Sequence, residues 1–358
     1  MSAAIKLRVA RSYALAIVAQ LTVSCATSHE HAEVPARTPT LGDTALFGAY
    51  AEGLPYFDAA FLALEKKLGA RLPLASGFVD WEYVLGEAKD LKLADGGRRT
   101  LLYSWEPHCD AQNKCIAFKD ITAGGTDAYL ERVAESMRRF PYDIYVRPWA
   151  EMNANWSPYH PGSASKRAGT REEFRAAFRY LYDFFRHRGI HNLKFVFNVD
   201  VSDDPTDAPI PELWPGKDPV DGHTYVDVLG IDGYNWGTSF RPGGNQWQEF
   251  DDLFRPAYDA LTALHPSAPV WICEFGTKEP RKNDGTEHSP APVDASHDKG
   301  AWFDHMFRST AFPRLRALAY YSSYLPGHDN QRDFRLDSSE ASLAAIRRHV
   351  QRRAASSD

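Results

Sequence analysis

Short apolar runs alternate along this chain with longer segments whose apolar positions recur at helical spacing. The runs at 45–50, 76–80, 100–105, 144–146, 193–198, 226–231, 269–274 and 317–321 read as strands. They are apolar almost throughout, as strands covered on both faces are. Between them lie amphipathic stretches. In 57–68, Phe57, Phe61, Leu62 and Leu64 are apolar and Gly69 stands ready as a C-cap. In 126–140, Leu130, Val133, Ala134 and Met137 share a face. Thr170 and Glu173 form a capping box that opens a helix with Phe174, Phe178, Leu181 and Phe185 inward and Gly189 near its end. Further helices are expected at 253–264, from 300 to 307, and at 339–353. Eight strands, mostly followed by helices and undivided by any linker, predict a single parallel (β/α)8 TIM barrel over 45–353.

In such a barrel the chemistry sits where strands end and βα loops begin. The third strand ends in Trp105 and Glu106. The fourth leads to Glu151, then Asn153, Trp156 and Tyr159. The fifth ends in Asn198 with Asp200 beyond, the sixth runs into Asp232, Tyr234 and Trp236, the seventh ends in Glu274, and the eighth in Tyr321 and Tyr324. Carboxyl groups among flat aromatic faces suit a sugar, whose apolar C–H faces stack on rings.

Glu151 and Glu274 are the expected catalytic pair. Glycosidic cleavage needs one carboxyl to protonate the leaving oxygen and another to attack the anomeric carbon or activate water. Arg147 and Tyr234 are expected to support Glu274, by charge and by a hydrogen bond. The expected sugar contacts are Trp105, Glu106, Asn153, Trp156, Tyr159, Asn198, Trp236 and Tyr321. Each has a structural alternative: a buried ion pair for Arg147, a pairing with Arg147 or Lys278 for Glu274, and the core for any aromatic ring. Trp149 and Trp271 lie within strand-like runs and read as packing residues.

The chain has 358 residues, a formal net charge of −6 and 13% aromatic residues. That charge provides no global basic field for nucleic acid. Lys6, Arg8 and Arg11 precede an apolar run at 13–23 that is too short to span a bilayer, so residues 1–26 read as an export signal cleaved after Ala26. Residues 21–25 also partly resemble a lipoprotein box in which Cys25 would carry a lipid anchor, although Thr22 stands where that box prefers Leu. Residues 27–44 read as a polar leader and 354–358 as a tail. Cys109 and Cys115 flank a short polar segment that a disulfide would clip, and export permits one. Cys273 lies in an apolar strand and reads as a buried thiol.

The strand-end residues resemble a known family, the retaining endo-acting enzymes of glycoside hydrolase family 26, over most of the chain after about residue 45. Residues 147–159 are similar to that family's R-x-x-H-E-M-N-G-x-W-x-P-W-like segment, which implies Glu151 as acid/base. Residues 274–276 resemble its E-F-G-like segment, which implies Glu274 as nucleophile. Residues 225–237 resemble the segment whose Tyr supports the nucleophile, here Tyr234. Residues 333–339 resemble a D-W-R-I-D-S-like run, with Phe334 for Trp. Ala150 replaces the family's His, Ala154 its Gly, and Tyr159 its second Trp. The resemblance implies an enzyme acting on β-mannan, mixed-linkage β-glucan or a bacterial exopolysaccharide; the acid and nucleophile chemistry calls for no cofactor, and a monomer is expected.

Two other readings compete. A carbohydrate-binding barrel without turnover is favoured only by Ala150. A metal-dependent hydrolase would draw on His108, His160 or His288, which are scattered without ligand spacing; His29 and His31 read as a solvated pair in the leader.

Overall fold

The computed structural model describes residues 38–355 except 108, 110–114, 162–167, 203, 205, 238–245, 281–295 and 325–332. The segment expected to be an export signal, Cys25, most of the expected leader, residues 356–358, His29, His31, His108 and His288 lie outside the described residues.

Eight parallel strands close into a barrel in chain order: β1 (Leu46–Ala51), β2 (Leu74–Asp80), β3 (Thr100–Glu106), β4 (Ile144–Pro148), β5 (Leu193–Asp200), β6 (Val228–Asn235), β7 (Val270–Thr277) and β8 (Leu315–Ser322). The predicted helices appear as α2 (Ala59–Leu68), α5 (Asp127–Arg139), α6 (Arg171–Arg186), α8 (Phe250–Leu264), α9 (Lys299–Arg308) and α10 (Glu340–Ala355). Both halves of the Thr170–Glu173 capping box form at α6. Four shorter helices escape the sequence pattern: α1 (Leu41–Thr44), α3 (Ala88–Leu93), α4 (Phe118–Thr122) and α7 (Ile210–Leu213). With α1, whose Leu41 is buried, the barrel begins inside the stretch expected to be leader.

Strand residues alternate between two cores. One face meets the helices, where Phe47, Tyr103, Trp105, Phe195 and Phe275 join one large apolar cluster. The other faces the barrel axis, filled by Leu74, Leu102, Val196, Val228, Trp271, Cys273, Ala317 and Ala319. Gly230 belongs to this inner wall: a Cβ there would come within 2.5 Å of Asn198 Oδ1 and 2.7 Å of Val196 Cγ1, so only glycine fits. Toward the strand C-termini the interior turns polar, with Ser104, Arg147, Asn198 and Asp232 buried.

That alternation breaks once in β7. Ile231 pairs with Ile272, but the next residue, Asp232, pairs with Glu274, so Cys273 is one residue in excess. The same excess occurs against β8, where Ile272 pairs with Leu318 and Phe275 with Tyr320. Simple alternation from Trp271 and Cys273, both inside, would turn Glu274 toward the helices. The bulge turns it into the barrel mouth instead.

Candidate active site

Glu274 is held from two sides. Tyr234 Oη donates to Glu274 Oε1 at 2.5 Å, and Arg147 Nη2 donates to Glu274 Oε2. The two donors occupy both carboxyl oxygens, the arrangement a carboxylate takes. Arg147 is wholly buried, and its other terminal nitrogen donates to Asp232. Burial works against its charge, but the facing Asp232 and Glu274 carry its pKa above the usual arginine value. Asp232 also accepts from Asn198 Nδ2 at 2.8 Å. Burial pushes its carboxyl well up, the nearby charges of Glu274 and Glu151 add to that rise, and Arg147 opposes it.

Glu151 lies three residues past β4, on a turn that uses the left-handed region twice. Trp149 has φ +53° and Glu151 φ +57°, a conformation non-glycine residues rarely adopt. The first turn sends Trp149 outward among Phe118, Phe174 and Phe178. The second returns Glu151 to the mouth. Asn153 ties the turn down: its Nδ2 donates to the Asp200 carbonyl at 3.0 Å and its Oδ1 accepts the Asp200 N–H at 2.8 Å. The Glu151 carboxyl is pushed up to about 8, first by burial and then by the charges of Glu274 and Asp200. The Trp156 indole N–H donates to Glu151 Oε2 at 3.0 Å and pulls the other way. One carboxyl is thus held between two donors, while burial and neighbouring charge favour the protonated form of the other.

One further carboxyl, Glu106, and two aromatic rings, Tyr321 and Trp236, lie at the same end of the barrel. Glu106 has its pKa raised, chiefly by burial, while the Ser104 hydroxyl that donates to it at 3.1 Å lowers it. Tyr321 stacks on Tyr50 with ring centroids 5.1 Å apart and meets Tyr234 edge-on at 6.0 Å. Trp236 packs beside Tyr234 and Phe334.

Four expected sugar contacts are corrected. Trp105 is fully buried on the helix-facing side of β3, its indole N–H donating to Tyr129 Oη at 2.8 Å. Tyr159 is buried, with its hydroxyl donating to the Pro107 carbonyl. Asn153 spends its amide on the Asp200 backbone, and Asn198 lies beneath the mouth as a partner of Asp232. Trp149 and Trp271 are packing residues, as expected. Cys109 and Cys115 form a disulfide, and Cys273 is a buried free thiol. The reading missed Asp232 as the second counter-ion of Arg147, and Tyr50 and Phe78 as walls of the mouth; Phe78 lies edge-on to Tyr50 at 5.0 Å. Inward alternation along β1 and β2 was the signal available for the last two.

Neither ring nitrogen of the buried His160 has a hydrogen-bond partner among the described residues. The one grouping of possible metal ligands among those residues is Asp218, Asp221 and His223, in the loop entering β6, away from the mouth.

The sequence profile of glycosyl hydrolase family 26 matches residues 117–273, from α4 to the residue before Glu274. Over that stretch, less than half of its length, the chain is similar to glycosyl hydrolase family 26. The chain is 30% identical over 299 residues to Endoglucanase H of Acetivibrio thermocellus, an alignment covering 82% of this chain and 29% of that protein. It therefore spans less than a third of that relative. Among solved structures it resembles the family 26 β-mannanase BoMan26A of Bacteroides ovatus, with a TM-score of 0.51, 15% identity, and 84% and 89% of the two chains covered. It resembles the Bacillus subtilis mannanase man26 equally, with a TM-score of 0.51, 16% identity, and 83% and 85% coverage. At those identities the likeness concerns the fold, the (β/α)8 barrel described above.

Proposed function

We propose that this chain is a member of glycosyl hydrolase family 26, an exported endo-β-glycanase that cleaves a β-linked polysaccharide by retaining double displacement. Glu151 gives its proton to the glycosidic oxygen while Glu274 attacks the anomeric carbon; the C–O bond breaks and a glycosyl ester forms on Glu274. Glu151, now a carboxylate, takes a proton from water, which attacks the same carbon and frees Glu274. The observation that carries this reading is the contrast between the two carboxyls. Glu274 accepts from Arg147 and Tyr234, and Glu151 is pushed up to about 8 by burial and neighbouring charge.

A β-glucan is the substrate class placed first. The relative at 30% identity is an endoglucanase, whereas the mannanases named above are half as identical. Ala150, where the family's His is expected, also weighs against mannan. Export rests on the basic and apolar leader and on the Cys109–Cys115 disulfide, a bond that persists in oxidising compartments. Lipidation at Cys25 is the alternative processing, and would hold the enzyme to a membrane.

The test is reducing-sugar release from mixed-linkage β-glucan, glucomannan, galactomannan, β-1,3-xylan and a bacterial exopolysaccharide, with wild type and Glu274→Gln side by side. Wild type should release sugar from at least one, most from mixed-linkage β-glucan, and Glu274→Gln should lose more than about a thousandfold. Binding without release by the wild type would favour a non-catalytic barrel.

A further inference from the structure

Among the described residues four aromatic side chains are notably exposed: Tyr56 (40%), Phe57 (74%), Trp156 (52%) and Tyr324 (36%). All four sit in loops that follow strands, β1 for the first two, β4 for the third and β8 for the last. The large aliphatic residues of similar exposure, Leu62, Leu91 and Val220, lie instead on α2, on α3 and in the loop entering β6. Solvent-facing rings thus gather at the end of the barrel that carries the two carboxyls.

The Tyr56–Phe57 pair is built to stay exposed. The Phe57 N–H donates to the Gly53 carbonyl at 2.8 Å and closes a single helical turn, and the Leu54 N–H donates to Ala51 at the end of β1. Gly53 has φ +97°, and a Cβ there would press on Phe57 Cβ at 3.2 Å. Leu54 is buried, and Pro55 packs over Gly77 of β2 so closely that a Cβ at Gly77 would lie 2.9 Å from Pro55 Cδ. Tyr56 stands edge-on to Tyr83 at 5.3 Å, and Tyr83 is itself tied to Asp90 by a 2.7 Å hydrogen bond. Lys89 Nζ lies 5.4 Å from the Tyr56 ring centre. An anchored backbone therefore presents a phenyl ring to water, a placement that forfeits the hydrophobic gain its burial would return.

The pair also shares an end of the barrel with the catalytic centre, on the loop that leaves β1. From Glu274 the aromatic surface runs through Tyr234 to Tyr321 at 6.0 Å and on to Tyr50 at 5.1 Å, one residue from the end of β1. The loop bearing Tyr56 and Phe57 begins just beyond Tyr50, at the end of β1. This direction leads away from Trp156, whose indole touches the acid Glu151 and so marks the leaving-group side. Asp80 and Glu82, whose charges act on the Tyr56 phenol, border the pair and offer acceptors for hydroxyl groups. A carboxylate border repels acidic polymers and admits neutral ones.

We propose that Tyr56 and Phe57 form a distal subsite that stacks one further pyranose ring of a neutral β-glycan, on the non-leaving side of the bond cleaved. The assignment of sides rests on the catalytic reading above. The subsite lengthens the binding track and favours polymer over short fragments.

The experiment is affinity electrophoresis in gels containing mixed-linkage β-glucan or glucomannan, with Glu274→Gln as parent so that no polymer is consumed. Into it go Phe57→Ala, the double change Tyr56→Ala with Phe57→Ala, and Leu62→Ala as an exposed apolar control on the outer helix. The parent should be retarded by at least one polymer. The double change should raise Kd roughly 5- to 30-fold, the loss expected of one or two ring contacts, and Leu62→Ala should leave it unchanged. In the active enzyme the same pair should lower kcat/KM on polymer by a similar factor and leave it within about twofold on an aryl disaccharide. Unchanged polymer affinity after loss of both rings, or no retardation of the parent by either polymer, overturns the subsite. Retardation that depends on Phe57, in a protein whose wild type releases no sugar, overturns the hydrolase reading and leaves the subsite standing. Unaltered thermal unfolding of the variants separates lost contact from lost fold.

Discussion

Glu151→Gln should make the barrel more stable in alkaline solution while abolishing turnover. In the unfolded chain the Glu151 carboxyl titrates near 4.5; in the barrel it is pushed up to about 8, first by burial and then by Glu274 and Asp200. Between those values the folded state binds more protons than the unfolded state, so stability falls as pH rises. The contribution is fully present below about pH 4.5 and is lost as pH rises through about 8. At about 1.36 kcal/mol per pKa unit, the full shift corresponds to on the order of 3–5 kcal/mol. Glutamine keeps the shape, stays neutral at every pH, and its amide oxygen still accepts the Trp156 N–H. Wild type and variant should therefore agree within about 1 kcal/mol at pH 4.5, and the variant should lead by about 3–5 kcal/mol at pH 9. Guanidinium unfolding followed by tryptophan fluorescence at intervals from pH 4.5 to 9 measures the difference. A stability difference that does not change with pH, or a wild type that is the more stable protein at pH 9, would refute the reasoning.

Two other substitutions probe the same centre. Trp156→Phe deletes the indole donor that favours the Glu151 anion; the alkaline limb of kcat/KM against pH should move upward by about half a unit to one unit, and a downward move would contradict the assignment. Arg147→Met leaves the buried Asp232 and the part-buried Glu274 without their shared cation; unfolding at pH 7 should show a loss of about 3–5 kcal/mol, and a loss under about 1 kcal/mol would contradict the role given to the ion pair.

The eight strands were legible because buried parallel strands are apolar on both faces, and the longer helices because their faces repeat. Strand C-termini were underestimated for a chemical reason: Asp200, Tyr234, Asn235 and Thr277 are polar residues within strands, and they interrupt the apolar run where the site begins. The helices α3, α4 and α7 are too short to show a period. At the site, residue type identified the carboxyls, Arg147 and Tyr234, but could not separate inward from outward. Alternation would have sorted Trp105 from Ser104 and Glu106, since neighbours on a strand face opposite ways. It would have failed at Glu274, whose direction depends on the extra residue Cys273 in the β7 register. Tyr159 and Asn153 lie in a turn, where no period applies and only their partners reveal their work.

The single guanidinium buried between two carboxylates has a consequence for the proposed reaction cycle. At rest, Arg147 faces two carboxyl groups, Asp232 and Glu274, and in the proposed cycle Glu274 carries the charge while Glu151 holds its proton. When Glu274 becomes an ester it loses its charge, and in the same step Glu151 gives up its proton and becomes an anion. The sum of buried charge stays constant; one negative charge migrates across the mouth, from one side of the sugar to the other, and then returns. Arg147 is within electrostatic reach of both positions, since its charge acts on Glu151 as well as on Glu274. No ion need follow the substrate in from solvent to balance either half-reaction, so turnover should be largely insensitive to the identity of the salt in which it is measured.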